Sequence, residues 1–365
     1  MGVILNDDWI SLQQCCQLLN ISRPTLNSYR QKKSLRQVLS KGRILLSKID
    51  IIKKIILMSP PERASSLTIF DNSDFKLIQP IPGILDLRNF KHIDAYGVIT
   101  LLCAIKCYLK KNENHKIYLI LDDSFGCSYL EAIGFFTEVL RGHTSRIFAN
   151  QEDIVKRVQT RITVILPLHL IGYRGAEKKI LDELYDPLLN QGFSETYCGY
   201  IGWIIGELCD NAHTHSNGPC YLVIEGVENV STEKRYLAIA LGDIGVGIPE
   251  SLKTNPKYKL LDDTTLLSMS FQSEISRMEV EPKRGKGLND VLSIAKGNGS
   301  WLRADSNGLG LFFDFREGKD LISFSYPNID TNGTRFCLLL IDSEFQQIDR
   351  KEINVMMQNF METSS

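Results

Sequence analysis

The sequence contains no apolar run of the roughly 18 residues that a membrane-spanning helix requires. The most apolar short stretch, 51–57, is interrupted by Lys53 and Lys54 and reads as an amphipathic element. Its nine cysteines (15, 16, 103, 107, 127, 198, 209, 220 and 337) form no C-x-x-C pair, which excludes a zinc ribbon and a thioredoxin-like motif. Their odd number and the lack of a signal peptide fit reduced thiols, so a cytoplasmic location is expected. No G-x-x-x-x-G-K-[ST] occurs, which excludes a P-loop, and the glycine pairs lack the third glycine of a dinucleotide fingerprint. There is no internal repeat and no low-complexity tract. Glutamate is absent from residues 1–58.

What is present is ordinary globular usage. The 365 residues are 43 % hydrophobic and 23 % charged, which argues against disorder and predicts two or three domains. The charge is unevenly placed. Residues 1–58 hold ten Lys/Arg against three Asp, a net +7, whereas the whole chain carries −1 and the remainder therefore −8. A basic head on an acidic body points to a polyanionic partner for the head. The chain divides into a head (1–58), a linker (59–66) around Pro60-Pro61, a middle segment (67–150), a third segment (151–342) and a polar tail (343–365) with a short helix over 353–360.

In the head, Leu12, Cys15, Cys16, Leu18 and Leu19 recur at helical spacing, and Asn20-Ile21-Ser22 breaks the pattern. Ser22 caps a second helix, predicted over 23–33, with Pro24 in its first turn. That helix exposes Arg23, Thr25, Asn27, Arg30, Lys32 and Lys33, while Leu26 and Tyr29 face inward. Segments 35–39 and 43–46 read as a hairpin turning at Lys41-Gly42, with Arg36 and Arg43 on its arms. A short helix carrying Arg, Asn and Thr beside lysines suits base reading plus phosphate contact. The order resembles small winged helix-turn-helix domains of the excisionase and mercury-regulator type, which implies DNA binding through Arg23, Thr25, Asn27, Arg30, Lys32, Lys33 and Arg43. A merely solvated or protein-binding face is the alternative.

In the middle segment, apolar strands at 84–87 and 116–121 alternate with a helical pattern that follows Ile93-Asp94-Ala95-Tyr96-Gly97 and with a helix at 130–135 ending near Gly134. These marks resemble the STAS domain of anti-sigma-factor antagonists. In that family a serine two residues after the aspartate accepts phosphate. Tyr96 stands there in this chain, preceded by Ala95, so the serine switch is missing. A protein-interaction scaffold is expected, and self-association is left open.

The third segment carries the chemistry. A strand at 161–166 and a helix at 175–191 precede a helix predicted over 194–215. Ile201, Ile204, Ile205, Leu208 and Ala212 form its core stripe. Glu207, Asn211 and His215 recur every four residues on a different face. An asparagine carbonyl can ligate Mg²⁺ without adding charge, and a nearby glutamate can orient or deprotonate a nucleophile. Strands at 221–228 and 236–241 deliver Asp243 to a turn that Gly245 and Gly247 permit. A buried carboxylate there can accept from the exocyclic amine of adenine. Residues 249–284 are polar and charged, as a mobile lid would be. Arg284, Gly285, Lys286 and Gly287 then open a helix at 288–295 whose N-terminus favours anions. Strands close the segment at 310–315, 321–326 and 335–341, with Gly333-Thr334 at the start of the last. His213 and His215, two apart on a helix, point to different sides and do not read as a metal pair.

Glu207 to Asn211, then Asp243-Gly245-Gly247, then Gly285-Gly287, then Gly333-Thr334, resemble in order and spacing the GHKL ATPase superfamily: gyrase-type topoisomerases, one class of heat-shock chaperones, histidine kinases and mismatch-repair ATPases. The resemblance covers about residues 151–342. It implies an α/β sandwich with a mixed sheet and helices on one face (a Bergerat-type ATP site), in a multi-domain α+β chain. It further implies that ATP and Mg²⁺ bind there, that Asn211 holds the metal, that Asp243 with Thr334 reads adenine, and that Glu207 is the acid–base residue. His215, Gly245, Gly247, Arg284, Gly285, Lys286 and Gly287 complete the ATP-binding set. None of His92, His115, His143 and His169 is followed by Glu in a helical heptad pattern, which disfavours a sensor histidine kinase. The expected function is a regulatory, ATP-hydrolysing protein coupling nucleotide to DNA or partner binding. The alternatives are a Ser/Thr kinase of the anti-sigma type and a nucleotide-sensing module without turnover. If the head binds duplex DNA through some four phosphate contacts, affinity should fall about a hundredfold between ~50 and ~200 mM salt. It should fall further in Arg30→Ala. A filter-binding titration insensitive to both changes would count against DNA binding.

Overall fold

In the computed structural model, residues 9–19, 21–32, 35–47, 50–51, 54, 66–70, 84–88, 92–113, 115–121, 125–144, 146–149, 163–216, 218–229, 234–276, 287–326 and 332–364 are described. The head comprises β1 (Trp9–Ser11), α1 (Leu12–Leu19), α2 (Arg23–Gln31), β2 (Gln37–Ser40) and β3 (Arg43–Ser47). Ser22 caps α2, its hydroxyl accepting from the Thr25 N–H, and Leu26 is buried. The turn between β2 and β3 has positive φ at both Lys41 (47°) and Gly42 (73°), the geometry that matches strand twist in a two-residue hairpin. Strand β1 was not expected; it pairs with β3 and completes a sheet of order β1-β3-β2. Arg36 is held by Asp50, and its Nη2 also donates to the Tyr118 hydroxyl at 2.8 Å, tying the head to the middle segment.

The middle segment contains β4 (Ser66–Leu67), β5 (Ile84–Asp86), β6 (His92–Ile93), α3 (Ala95–Lys111), β7 (Ile117–Ile120), α4 (Phe125–Ala132), α5 (Phe135–Leu140) and β8 (Ile147–Ala149). Strands β5, β7 and β8 pair in parallel. Asp94 caps α3, accepting from the N–H groups of Gly97 (3.0 Å) and Ile69 (2.7 Å). Gly134 (φ 82°) follows α4, as expected, but the chain does not become a loop there: Phe135 opens a second helix and is itself buried.

The third segment contains β9 (Thr163–Ile171), α6 (Glu177–Asn190), α7 (Glu195–Ser216), β10 (Cys220–Asn229), β11 (Lys234–Asp243), α8 (Ile248–Lys253), α9 (Asp263–Met269), α10 (Gly287–Asn298), β12 (Trp301–Ser306), β13 (Leu309–Asp314), β14 (Leu321–Ser325) and β15 (Thr334–Ile341), followed by α11 (Arg350–Ser364). One sheet of order β14-β13-β12-β15-β11-β10-β9 unites its strands. Every pairing in it is antiparallel, where a mixed sheet was expected.

This sheet is covered on both faces, not one. Leu237, Ile239 and Leu241 of β11 pack with Phe336, Leu338 and Leu340 of β15 against α6, α7, α10 and α11. Ala238 and Ala240 of β11 and Cys337 of β15 instead join a core with Leu101, Leu102 and Ile105 of α3 and with Leu85 and Leu119 of the small parallel sheet. The middle and third segments thus share a core. The cause is visible in Leu237-Ala238-Ile239-Ala240-Leu241, apolar at every position, which must be buried on both sides. The alanines and Gly242 on the α3 side are small and let that helix approach closely. A Cβ on Gly242 would lie 2.5 Å from Ile99 Cγ2 and 3.0 Å from Cys103 Sγ.

The α3 interface also buries polar groups. Arg303 Nε donates to Asp305 at 3.1 Å, Arg303 Nη1 donates to the Ile69 carbonyl at 2.9 Å, and the guanidinium lies 4.7 Å from the Tyr96 ring centroid. The Tyr96 hydroxyl is fully buried and donates to Asp305. A group so enclosed cannot meet a phosphoryl donor without unpacking α3.

The stretch expected to be a polar lid differs as well. Between 248 and 276 it folds as α8, a 3₁₀ turn (Pro256–Tyr258) and α9, the last capped by Asp262. Leu266, Leu267 and Phe271 are buried. Residues 277–286 lie outside the described residues. Helix α11 exceeds the short helix expected and buries Ile353 and Met357 in the main core. Among the described residues no helix is long and apolar enough to cross a membrane. Gly242→Ala should destabilise the protein by about 1–3 kcal/mol through overpacking, measured by chemical denaturation. An unchanged midpoint would show that α3 does not seat on the sheet.

Candidate functional site

Helix α7 builds one wall of a cavity of about 330 Å³, within the usual range for small-molecule sites. Its apolar stripe is buried against the sheet, so the face carrying Glu207, Asn211 and His215 turns toward the cavity, and all three line it. Gly287, the first residue of α10, lies so close to the Glu207 carboxylate that a larger residue there would make the glutamate side chain shift. Burial, reinforced by Asp290 and Asp210 and opposed by Arg350, holds the Glu207 carboxyl above the usual range. A half-buried glutamate with raised proton affinity at a helix N-terminus is suited to take a proton from a nearby nucleophile. The amide nitrogen of Asn211 is buried and has no partner among the described residues.

The opposite end is framed by strand ends. Asp243 closes β11, and the register that sets Gly242 against Arg335 brings Thr334 beside it. One Asp243 carboxylate oxygen accepts from the Gly245 N–H at 2.7 Å. Burial pushes the Asp243 carboxyl up to about 6, against the pull of the Gly245 and Thr334 N–H groups and of Arg335. Gly247 (φ 82°) and Gly333 (φ 96°) adopt left-handed backbone, and a Cβ on Gly333 would press into the Asp243–Ile244 backbone. Gly245 lies against Ser216 at the end of α7, also with no room for a Cβ. Asp243, Gly247 and Thr334 line the same cavity as Glu207 and Asn211, and Leu208, Ala212, Ile248, Leu252 and Phe336 supply its apolar surface.

His215 Nδ1 and the Ser251 hydroxyl are 2.9 Å apart, linking α7 to α8. His213 turns away toward the Gly218 carbonyl (3.1 Å) and Cys220. Arg284, Gly285 and Lys286 lie outside the described residues. Among the described residues, no group of three or more His, Cys, Asp or Glu could hold a metal ion.

Several lining or framing residues were not anticipated. Arg174, in the loop after β9, lines the cavity and pairs with Asp210 at 2.5 Å. It lies 33 positions before Glu207 with no motif to mark it. Ser251 and Asn307 were missed too, although Asn307-Gly308 is a hairpin-turn dipeptide.

In the head, Arg23, Thr25, Asn27, Lys32 and Arg43 are exposed. Arg30 is half-buried and donates to Asn27 (3.0 Å) and Gln37 (2.9 Å), bracing α2 against the hairpin. Lys33 lies outside the described residues.

The chain matches no protein-family model and no curated protein. The raised Asp243 proton affinity has a consequence for stability. An unfolded aspartate titrates near 3.9, so between about pH 4 and 6 the native state binds more protons than the unfolded one. Stability is therefore lost as pH rises through that window, by roughly 2–3 kcal/mol from Asp243. Asp243→Asn should raise the thermal midpoint at pH 7 and flatten its fall between pH 4 and 6. Burial also raises the Asp94 carboxyl to about 6, so part of the slope should remain. An Asp243→Asn midpoint at or below wild type at pH 7 would contradict this account.

Proposed function

We propose that this chain is a regulatory ATPase of the GHKL type, in which Mg²⁺-ATP occupies the cavity beside α7 and its state controls DNA or partner binding. The observation that carries the proposal is convergence. Glu207, Asn211, Asp243, Gly287 and Thr334 are spread over 128 residues of sequence yet line one cavity. In this reading the Asp243 carboxylate accepts from the adenine amine, an interaction guanine cannot supply because it presents a carbonyl there. The phosphates lie toward the N-terminus of α10, whose free N–H groups and dipole favour anions. Glu207 accepts a proton from the water that attacks the terminal phosphorus. The water oxygen bonds to phosphorus, the bond to ADP breaks with its electron pair on ADP, and the proton leaves Glu207 for solvent. Bound magnesium would neutralise phosphate charge, with Asn211 among its ligands.

The three expected modules enter the proposal in modified form: a winged helix-turn-helix head, a STAS-like middle segment and a Bergerat-type sandwich. The STAS-like part then serves as the cover of the sheet's second face and not as a separate switch. Phosphorylation in cis at Tyr96 finds no support, since that hydroxyl is enclosed with Asp305.

Glu207→Ala should retain ATP binding and lose at least about a hundredfold in phosphate release. Asn211→Ala should lose magnesium-dependent binding. Label from γ-labelled ATP appearing on a protein would replace hydrolysis by kinase activity. Tight ATP binding by the wild type without phosphate release or transfer would leave a nucleotide sensor.

A further inference from the structure

Asn307, outside every motif read from the sequence, is placed to govern the base end of the cavity. It occupies the turn between β12 and β13 in left-handed conformation (φ 51°). Its side-chain amide makes two hydrogen bonds to two different loops. Nδ2 donates to the Val246 carbonyl at 2.7 Å, and Oδ1 accepts from the Gly333 N–H at 3.1 Å. The amide also fills the space beside Gly247, where a Cβ would come within 2.6 Å of it. The neighbouring Ser306 hydroxyl accepts from the Ile248 N–H at 2.8 Å and lies 3.4 Å from the Thr334 hydroxyl.

Each of these loops adjoins a strand end that carries a group assigned to the base. The loop at 244–247 leaves Asp243, and Gly333 precedes Thr334. Gly245 is tied to the Asp243 carboxylate and Gly333 is seated against the Asp243 backbone, so both flanks lie close to the groups at the base end. The strand register sets Asp243 beside Thr334, and the bidentate amide, together with the Ser306 hydroxyl, ties the backbone beyond Asp243 to the backbone before Thr334. We infer that Asn307 is a positioning residue that, beyond the strand register, locks the backbone flanking Asp243 and Thr334 in the arrangement that selects adenine. This rests on the proposal that the cavity binds ATP. Asn307 acts through the backbone of Val246 and Gly333 and need not touch the nucleotide.

The test is a competition titration of the full chain with ATP and with GTP in the presence of magnesium, on the wild type, Asn307→Gly and Asn307→Asp. Glycine keeps the left-handed turn and removes only the amide. Aspartate keeps the shape and the acceptor for Gly333, and it removes the donor to Val246. Both variants should bind ATP about tenfold more weakly, with GTP affinity changed less than twofold, so that the preference for ATP shrinks about tenfold. ATP affinity within twofold of wild type in both variants overturns the inference. Equal weakening of ATP and GTP also overturns it, because a merely structural role lowers both alike. Circular dichroism identifies a variant that does not fold; Asn307→Asp then decides alone, and failure of both to fold assigns Asn307 to stability and overturns the inference. A wild type that binds neither nucleotide defeats the ATP reading itself and is distinguishable from all of these.

Discussion

The structure depends on the end of β11, where two successive residues face opposite sides of one sheet. Gly242 faces α3 and admits Ile99 and Cys103 at a distance no side chain would allow. Asp243 faces the cavity and takes N–H groups from Gly245 and Thr334. Across the strand pair, Arg335 is fully buried and Thr334 lines the cavity. The alternation of a β-strand makes this two-sided arrangement obligatory: a slip of one residue would put the carboxylate under α3 and the glycine in the cavity. Sealing the far face keeps water away from the strand end. The same seal raises the proton affinity of Asp243 and leaves its carboxyl with few competing partners. A nucleotide site of the proposed kind thus depends on a helix whose contact residues, Ile99 and Cys103, lie more than a hundred positions earlier in the chain.

Both faces bury polar groups, some of them without a partner among the described residues. Under α3, Arg303, Asp305 and Tyr96 satisfy one another, so that charge in the interior is compensated. Glu225 sits in the same layer with its carboxyl pushed well above the usual range by burial and by Asp94. On the cavity side the Asn211 amide nitrogen is buried without a partner among the described residues, and Glu207 is half-buried against a helix N-terminus. Where such a group lines a cavity, a ligand can complete its hydrogen bonding.

How much was legible in the sequence follows from what each signal records. Glu207, Asn211 and His215 share a face because four-residue spacing fixes direction on any helix, and they do line one cavity. Asp243 with Gly245 and Gly247 was readable because an apolar run ended in turn residues. The two-sided sheet was not read, since periodicity reports that a strand is buried and not what covers it; the unbroken apolarity of 237–241 was the available sign. Strand β12 escaped because Arg303 and Asp305 interrupt its apolar pattern, and they are buried only because they pair with each other and with Tyr96. Helix α9 was hidden in a polar stretch, although Asp262 and Leu266-Leu267 carry a cap and a buried face. Arg174 gave no signal at all, because its place at the cavity is set by the length and path of β9. Arg36, expected on the hairpin arm, is engaged by Asp50 and Tyr118, a contact between segments that local pattern cannot foresee.

The most direct measurement is a crystal structure of the full chain with a non-hydrolysable ATP analogue and magnesium. The account predicts the adenine amine within hydrogen-bonding distance of the Asp243 carboxylate, Thr334 beside the base, and the terminal phosphate between Asn211 and the first turn of α10 near Glu207. A nucleotide bound elsewhere, or one in this cavity with its base directed toward Glu207 and its phosphates toward Asp243, would contradict it.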